Sequence, residues 1–279
     1  MVADGAASET VGHDAITLEL AKKESAEHLA GNGQLFEHMR LKPLLVRAYS
    51  MDDPDGPDAT EDGVKVVHFV RHGQGFHNLL ADMAQAEGRE WVQYSKGPEN
   101  PYVAPEILDA PLTDKGRTQA LALQPRVRAF PDPPELVVLS SHCRALQTGL
   151  LAFEHLLPSV PFIAHEDVRE CTGVHVCDKR RPKSRQEKEF PLVDFSHIGS
   201  EDDNLFLDDR RETKMEVGER IYNFLDWLSK RPEKHVGVAS HSGWLMTVFN
   251  GIVECDNLLK PWFQTGEMRS VKLVMERKE

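Results

Sequence analysis

The stretch VRHGQGFHN at residues 70–78 contains an arginine, two histidines and an asparagine directly after a hydrophobic run. A guanidinium group binds phosphate oxygens well, and an imidazole can attack phosphorus as a nucleophile. Gly73 and Gly75 allow the backbone to turn sharply and to come close to a ligand. The stretch therefore predicts an anion-binding turn at the end of a strand.

Two later stretches have the same character. SSHCRALQTG follows a predicted strand and carries Arg144, and VASHSGWL follows another and carries His241. Because ligands of open α/β sheets bind outside the carboxyl ends of the strands, we expect both side chains to lie near Arg71 and His72. Any one of these residues alone would more often be structural, but their coincidence at three strand ends favours a phosphate site.

Gly73, Gly75 and Asn78 also approach the spacing of the G-x-G-x-x-G dinucleotide-binding pattern. That pattern requires a third glycine and a tight turn, and here Asn78 takes the glycine position while Arg71 and His72 fill the turn. We therefore set this interpretation aside and predict no cofactor.

A zinc site is the second alternative, because Cys171, His175 and Cys177 lie close together in the chain. Their C-x₃-H-x-C spacing is not a common zinc pattern, and a fourth ligand would have to come from far away. We predict no metal site.

Strand-like and helix-like patterns alternate from Val64 onwards. The predicted strands are 64–70, 135–140, 159–165 and 235–240, and the predicted helices are 144–157, 216–230 and one that begins near 243. This alternation is typical of a mostly parallel sheet with helices on both faces, a three-layer α/β/α sandwich. The final segment SVKLVME is expected to close an edge of the sheet.

The chain is predicted to have two parts. Residues 1–63 form an N-terminal extension, helical between residues 15 and 40 and ending in the acidic connector 51–63. Residues 64–279 form the main domain, with a cap-like insert at about 171–215. The function of the extension stays open, with self-association as a homo-oligomer and docking as alternatives.

Composition limits the partners. The 45 acidic and 33 basic residues give a net charge of −12, which disfavours nucleic acid and anionic membranes as partners. No apolar run approaches the ~20 residues that span a bilayer. The first ten residues lack the features of a secretory signal, and four cysteines do not suggest a disulfide framework. We expect a cytoplasmic protein.

Four motifs in order resemble those of the histidine phosphatase superfamily, the phosphoglycerate mutase-like proteins. VRHGQGFHN is similar to the Arg-His-Gly signature of that family, and PLTDKGRTQA, SSHCRALQTG and VASHSGWL are similar to its later motifs. Ser242 stands where the family more commonly has glycine. The resemblance runs from about Val64 to the C-terminus. The stretch beginning CDKR resembles a eukaryotic branch of the family.

The resemblance implies a role for each matching residue. His72 is the nucleophile that becomes a phosphohistidine, and the phosphate is bound by Arg71, Asn78, Arg144 and His241. His241 also counts as catalytic. A small phosphorylated substrate is implied, and its identity stays open.

The leaving alcohol needs a proton, and HEDVRECTG offers Glu166, Asp167 and Glu170 as donors. The family places its acid in a Leu-Arg-Glu context, which Val168-Arg169-Glu170 resembles. We therefore predict Glu170 as the general acid and base.

The resemblance leaves three functions open. Glycolytic mutases have a Trp-Asn pair in the first motif and a later Arg-Phe-x-Gly-Trp segment, whereas this chain has His77-Asn78 and no such segment. A metal-independent phosphomonoester hydrolase is therefore favoured over a phosphoglycerate-type mutase, and a phosphate-binding module with little turnover is the third alternative.

The stretch CDKRRPKSRQEKEFP at 177–191 is strongly basic in an otherwise acidic protein. It predicts either a basic lid that attracts a second anionic group of the substrate, or a solvated segment balanced by the acidic run at 201–210.

Overall fold

The computed structural model describes residues 32–92 and 95–278, and within these ranges eight strands form one sheet. The strands are β1 (Leu44–Ser50), β2 (Val64–Arg71), β3 (Leu136–Ser140), β4 (Phe162–His165), β5 (Asp194–His197), β6 (His235–Ser240), β7 (Glu254–Cys255) and β8 (Met268–Arg277). Their order across the sheet is β5-β4-β3-β6-β2-β8-β1-β7. Only β8 runs antiparallel to its neighbours, β2 and β1, among the described strands.

Helices cover both faces of this sheet. They are α1 (Asn32–Arg40), α2 (Phe76–Ala86), α3 (Asp114–Leu121), α4 (Gln124–Arg128), α5 (Cys143–Ala152), α6 (Lys183–Glu189), α7 (Lys214–Ser229) and α8 (Ser242–Thr247). Residues of α1, α7 and α8 pack in one hydrophobic cluster against the sheet, and residues of α4 and α5 pack in another. The predicted mostly parallel α/β architecture is confirmed.

Helix α7 shows how local sequence specifies an element. Thr213 accepts a hydrogen bond from the backbone of Glu216, whose side chain in turn binds the backbone of Thr213, so the helix begins with a capping box. From there Ile221, Phe224 and Leu228 recur at helical spacing and are fully buried. Burying such a stripe stabilises the fold by roughly 1.5–3 kcal/mol per large side chain.

The strands at the C-terminus and N-terminus differ from the prediction. β8 does not close an edge, because it lies between β2 and β1 and pairs with both. β1 was not predicted, although LLVRAYS buries alternate residues. Residues 44–50 of the predicted extension are thus part of the central sheet, and the division of the chain into domains stays a prediction.

The predicted N-terminal helix can be compared only in part. Residues 15–31 lie outside the described residues, and the described portion is α1, Asn32–Arg40, which lies within the predicted helical range. In the described part of the chain, no helix has the length and apolar character needed to cross a membrane.

Candidate active site

The carboxyl ends of three adjacent strands meet at one edge of the sheet. Strand β6 pairs with β2 through Ser240 and Arg71, and with β3 through Ala239 and Leu139. The residues after these strands therefore lie together, as the sequence predicts. They surround a cavity of about 80 Å³.

The structure brings all six predicted site residues to this place. Arg71, His72, Asn78, Arg144 and Glu170 line the cavity. His241 is fully buried behind them and reaches the site through its contact with Arg144.

His72 is held in one orientation and one protonation state. Its Nδ1 lies 2.7 Å from the carbonyl oxygen of Gly73. Because a carbonyl only accepts, Nδ1 carries the proton and Nε2 keeps a lone pair. Burial and the positive charge of Arg144 hold the pKa of His72 well below its ordinary value. The ring is thus neutral near pH 7, the state that a nucleophile requires.

His241 is oriented by a chain of hydrogen bonds. The Nε–H of Arg144 donates to its Nδ1 at 3.2 Å, so the proton of the neutral ring is on Nε2. That Nε2 lies 2.7 Å from the Ser140 hydroxyl and 3.4 Å from Nδ1 of His142. Burial and the charge of Arg144 also hold the pKa of His241 well below its ordinary value.

Arg144 is the second residue of α5 and is almost entirely buried. Its Nη1 donates to the carbonyl of Cys177 at 2.7 Å, and its Nη2 donates to a carboxylate oxygen of Asp178 at 2.7 Å. The other oxygen of Asp178 accepts from Arg211 at 2.7 Å. Burial opposes ionisation of Asp178, but Arg211, His175 and Arg144 together hold its pKa well below the usual range.

Sequence reasoning missed Asp178 and Arg211, which both line the cavity. In the sequence, Asp178 is a single acid ahead of a run of bases in the CDKR stretch, and nothing in that pattern indicates a role in the site. Arg211 follows an acidic run and had no signal of its own, because its position beside the cavity results from folding of the insert.

Arg71 is the last residue of β2, and Asn78 lies in the first turn of α2. Arg71 donates to the carbonyl of Phe263 at 2.7 Å, and its guanidinium lies 5.4 Å from the centre of the Trp262 ring. The amide oxygen of Asn78 accepts from the backbone N–H of Gly75 at 3.0 Å and thereby caps α2. The Asn78 side chain therefore has its NH₂ group as the donor for a ligand.

Glu170 sits beneath the first turn of α8. Its carboxylate accepts from the backbone N–H groups of Gly243 and Trp244, each at 3.0 Å, and from that of Cys171 at 2.9 Å. These bonds hold the carboxylate at the wall of the cavity.

The two other candidate acids are placed elsewhere. Glu166 accepts from Arg169 at 3.1 Å and from Arg180 at 2.9 Å, and it does not line the cavity. Asp167 also lies outside the cavity, and burial raises its pKa to about 6. Of the three acids, only Glu170 faces the predicted phosphate site.

The segment 111–120 holds the loop that follows His72. A Cβ at Gly73 would lie 2.3 Å from the carbonyl oxygen of Gly116, and one at Gly116 would lie 2.1 Å from that of Gln74. Gln119 accepts from the backbone N–H of Gln74 at 2.8 Å. Gly73 is therefore needed for the close packing of two backbone segments. The sequence had instead suggested that this glycine lets the backbone come close to a ligand.

The basic stretch is anchored rather than free to reach the cavity. Arg180 is buried and donates to Glu166 and to backbone carbonyls between residues 200 and 202. Arg181 pairs with Asp109 at 2.9 Å. Lys179 lies 3.7 Å from Asp208, a contact with the acidic run. None of the three basic residues lines the cavity.

Cys171, His175 and Cys177 line the cavity. Burial raises the pKa of both thiols above the ordinary value, so neither is a thiolate at neutral pH. Within residues 32–92 and 95–278, no three or more His, Cys, Asp or Glu side chains are grouped as a metal site would require.

Comparison with known proteins gives consistent results. The family model of the histidine phosphatase superfamily (branch 1) matches residues 104–279. Phosphoglycerate mutase-like protein 1 of Arabidopsis thaliana is 33% identical over 243 residues, which cover 75% of this chain and 81% of that protein. The probable phosphoglycerate mutase PMU1 of Saccharomyces cerevisiae is 30% identical, over 67% of this chain and 72% of that protein.

Solved structures are similar at lower identity. A putative alpha-ribazole-5'-P phosphatase from Escherichia coli is 16% identical, with a TM-score of 0.48 over 76% of this chain and 95% of that chain.

Proposed function

The chain belongs to the histidine phosphatase superfamily, and on that premise we propose that it hydrolyses phosphate monoesters through a phosphohistidine on His72, without a metal ion. The observation that supports this most directly is the state of His72. Its ring is neutral, its Nδ1–H is held by the Gly73 carbonyl, and its Nε2 lone pair faces the guanidinium of Arg144 at 3.3 Å.

In the first half of the reaction, Nε2 of His72 attacks phosphorus and the bond to the leaving-group oxygen breaks. Phosphoryl transfer depends mainly on positioning and on positive charge around the equatorial oxygens. Arg71 and Arg144 supply that charge permanently. Glu170 gives its proton to the leaving oxygen, so the products are the free alcohol and phosphohistidine.

In the second half, a water molecule attacks the phosphohistidine. Glu170, now a carboxylate, accepts a proton from that water as the P–N bond breaks. Inorganic phosphate leaves, and both His72 and Glu170 return to their starting states.

His241 changes its role when phosphate binds. In the structure its Nδ1 accepts from Arg144, so it has no proton there to donate. A phosphoryl dianion at this place favours the charged imidazolium, whose Nδ1–H then donates to a phosphoryl oxygen. The NH₂ group of Asn78 adds a neutral donor.

The names of the relatives favour a phosphoglycerate-type mutase as the second candidate. A mutase holds both phosphorylated forms of one substrate and keeps water away from the phosphohistidine. This chain has His77-Asn78 in place of the Trp-Asn pair of the glycolytic mutases, and we therefore rank hydrolysis first.

The test is release of inorganic phosphate from a panel of monoesters, with and without EDTA. The panel contains p-nitrophenyl phosphate, phosphoglycerates, sugar phosphates and nucleotides. We expect turnover by the wild type that survives EDTA and is lost in His72→Ala. His38→Gln is the matched control, because His38 is a partly exposed surface histidine paired with Glu219.

Other outcomes separate the alternatives. Conversion of 3- to 2-phosphoglycerate without net phosphate release supports the mutase. Binding of phosphate compounds without turnover in either assay supports the binding module. Equal turnover by the wild type and His72→Ala contradicts the phosphohistidine mechanism.

A further inference from the structure

His77 lines the cavity, and the proposed reaction gives it no role. It is the second residue of α2, directly before Asn78, and it is almost entirely buried. The centre of its ring lies 5.5 Å from that of the nucleophile His72. The same ring lies 6.3 Å, centre to centre, from Tyr102, another residue of the cavity wall. His77 is therefore a neighbour of the reacting group at the place where a ligand binds.

The Nδ1 atom of His77 is buried and has no hydrogen-bond partner among the described residues. The other two histidines of the site differ in this respect, because Nδ1 of His72 and both ring nitrogens of His241 have partners. An unpaired buried polar atom costs free energy, and most such atoms in folded proteins are paired with protein or water. At the wall of a binding cavity, this nitrogen indicates a partner that belongs to the ligand.

Gly75 keeps the space beside this nitrogen free of a side chain. A Cβ at Gly75 would lie 2.7 Å from Nδ1 of His77 and 3.5 Å from Cδ of Arg144. That Cδ is bonded to the Nε of Arg144, which lies 3.3 Å from Nε2 of His72. The unpaired nitrogen and the Arg144 side chain thus border one space close to the attacking atom.

The His77 ring is neutral near pH 7. Burial and the positive charge of Arg144 hold its pKa well below the ordinary value. A neutral imidazole carries one proton, and no hydrogen bond to Nδ1 opposes a proton at that atom. Phosphoryl oxygens at neutral pH mainly accept hydrogen bonds, so a phosphoryl group beside Nδ1 favours the tautomer that has the proton there.

We propose that the Nδ1–H group of His77 donates a hydrogen bond to a non-bridging oxygen of the bound phosphoryl group, which makes His77 a further phosphate-binding residue. The proposal rests on the proposed function, which places the phosphoryl group at Nε2 of His72. His77 and Asn78 are then two neutral donors beside the cationic Arg71 and Arg144. A hydrogen bond to an anion is stronger than one between neutral groups, so the contribution to binding is measurable.

Two variants of similar shape test this donor. His77→Asn and His77→Leu both replace the ring by a shorter branched side chain and lose the same ring packing. The amide of asparagine keeps a polar group close to the position of Nδ1, whereas leucine has none. The measurement is the dissociation constant of sulfate at pH 7, by calorimetric titration of the full-length protein. We expect His77→Leu to bind sulfate about tenfold or more weakly than the wild type, and His77→Asn to recover most of that loss.

His155→Leu is the matched control for loss of a histidine. The Nδ1 atom of His155 is also buried without a hydrogen-bond partner among the described residues, but His155 lies outside the cavity. This variant should bind sulfate as the wild type does.

NMR of the ring nitrogens in the wild type gives a second measurement that does not depend on folding of the variants. Saturation with sulfate should place the proton of the His77 ring on Nδ1. A role in packing alone would not produce this change.

The outcomes separate the role of His77 from the proposed function. Equal sulfate binding by the wild type and His77→Leu overturns the role, and so do equal losses in His77→Leu and His77→Asn, which would indicate packing alone. If neither variant folds, an Nδ1 without a proton in the sulfate complex of the wild type overturns it. Sulfate binding without hydrolysis of any monoester contradicts only the phosphatase function, because the role of His77 is measured by binding. A wild type that binds neither sulfate nor inorganic phosphate contradicts the phosphate site, and the proposal falls with it.

Discussion

The Nε atom of Arg144 lies 3.3 Å from Nε2 of His72, and the same N–H group lies 3.2 Å from Nδ1 of His241. One donor therefore faces the lone pairs of two neutral rings. Neither ring has a proton on the atom that faces Arg144, because burial and the arginine charge depress both pKa values. On the proposed mechanism, an oxyanion entering this place meets the nucleophile His72 on one side and, on the other, the His241 ring, which takes up a proton.

This arrangement predicts proton uptake when an oxyanion binds. Sulfate has no proton of its own to exchange near pH 7, and its double negative charge favours the imidazolium form of His241, with uptake of about one proton. Calorimetric titration in two buffers of different ionisation enthalpy measures the number of protons taken up per sulfate bound. His241→Gln should remove the uptake, and binding without uptake in the wild type would contradict the assigned role of His241.

Replacing Arg144 by lysine should disable the site although the charge is kept. A lysine cannot contact the two histidines, the Cys177 carbonyl and Asp178 at once. We expect kcat to fall about 10²–10³-fold, the magnitude for loss of one charge-stabilising group. Steady-state hydrolysis of p-nitrophenyl phosphate measures it, and Arg128→Lys on α4, outside the cavity, is the control. Near wild-type activity in Arg144→Lys would exclude a specific role for the guanidinium.

Glu170→Gln should slow hydrolysis most for esters with poor leaving groups. Without the general acid, alkyl phosphates should lose about 10²–10⁴-fold in rate. p-Nitrophenolate leaves without a proton, so this ester should still form the phosphohistidine and give a burst of one equivalent, followed by slow turnover. Stopped-flow absorbance records the burst. Glu166→Gln should show no such dependence on the leaving group, because Glu166 lies outside the cavity.

Gly116→Ala should lower both stability and activity, although Gly116 does not line the cavity. Its Cβ would lie 2.1 Å from the carbonyl oxygen of Gln74, so the loop after His72 must move. Overpacking of this kind costs about 1–3 kcal/mol. Urea unfolding and kcat/KM measure the two effects. Gly33→Ala is the control, since its Cβ would meet nothing within 4 Å.

Stability should fall as the pH is lowered from 7 to 5. Burial lowers the pKa of His68 to about 3 and that of His165 to about 4, so the folded state keeps these rings neutral. In the unfolded state the same two imidazole rings bind protons below about pH 6.5. Stability is therefore lost progressively from that pH down to the folded pKa values. For His68 alone, the loss between pH 7 and pH 5 is about 2 kcal/mol.

Buried carboxyl groups whose pKa is raised by burial, Asp109 and Asp167 among them, oppose this trend. The pKa of Asp167 is raised to about 6, so its folded form binds a proton more readily and its contribution to stability grows as the pH falls. The two histidines outweigh it. Urea unfolding near pH 7 and near pH 5 measures the difference, and His68→Gln should reduce it. An equal pH dependence in that variant would contradict the assignment to His68.

Local sequence was sufficient for the parts of the fold that depend on neighbours in the chain. The apolar stripe of α7 and the hydrophobic run of β2 were predictable from the sequence. A helix that buries one face repeats apolar residues about every 3.6 positions, and a strand buried on both faces is apolar throughout. Strand β1 escaped prediction because every second residue is only partly buried, and its partner β8 lies more than 200 residues away in the chain.

The sequence by itself determined the chemistry at the strand ends. Arg71, His72, Arg144 and His241 are recognisable because parallel strands of one sheet bring their carboxyl ends to one edge, so residue types at those ends predict a common site. The family resemblance selected Glu170 among three acids, and the tertiary structure placed it at the cavity. Only the tertiary structure decided that Asp178 and Arg211 also line that cavity. Those two residues are 33 positions apart and meet through the packing of the insert. A local sequence pattern cannot predict this contact, because burial and charge pairing create it only in the folded chain.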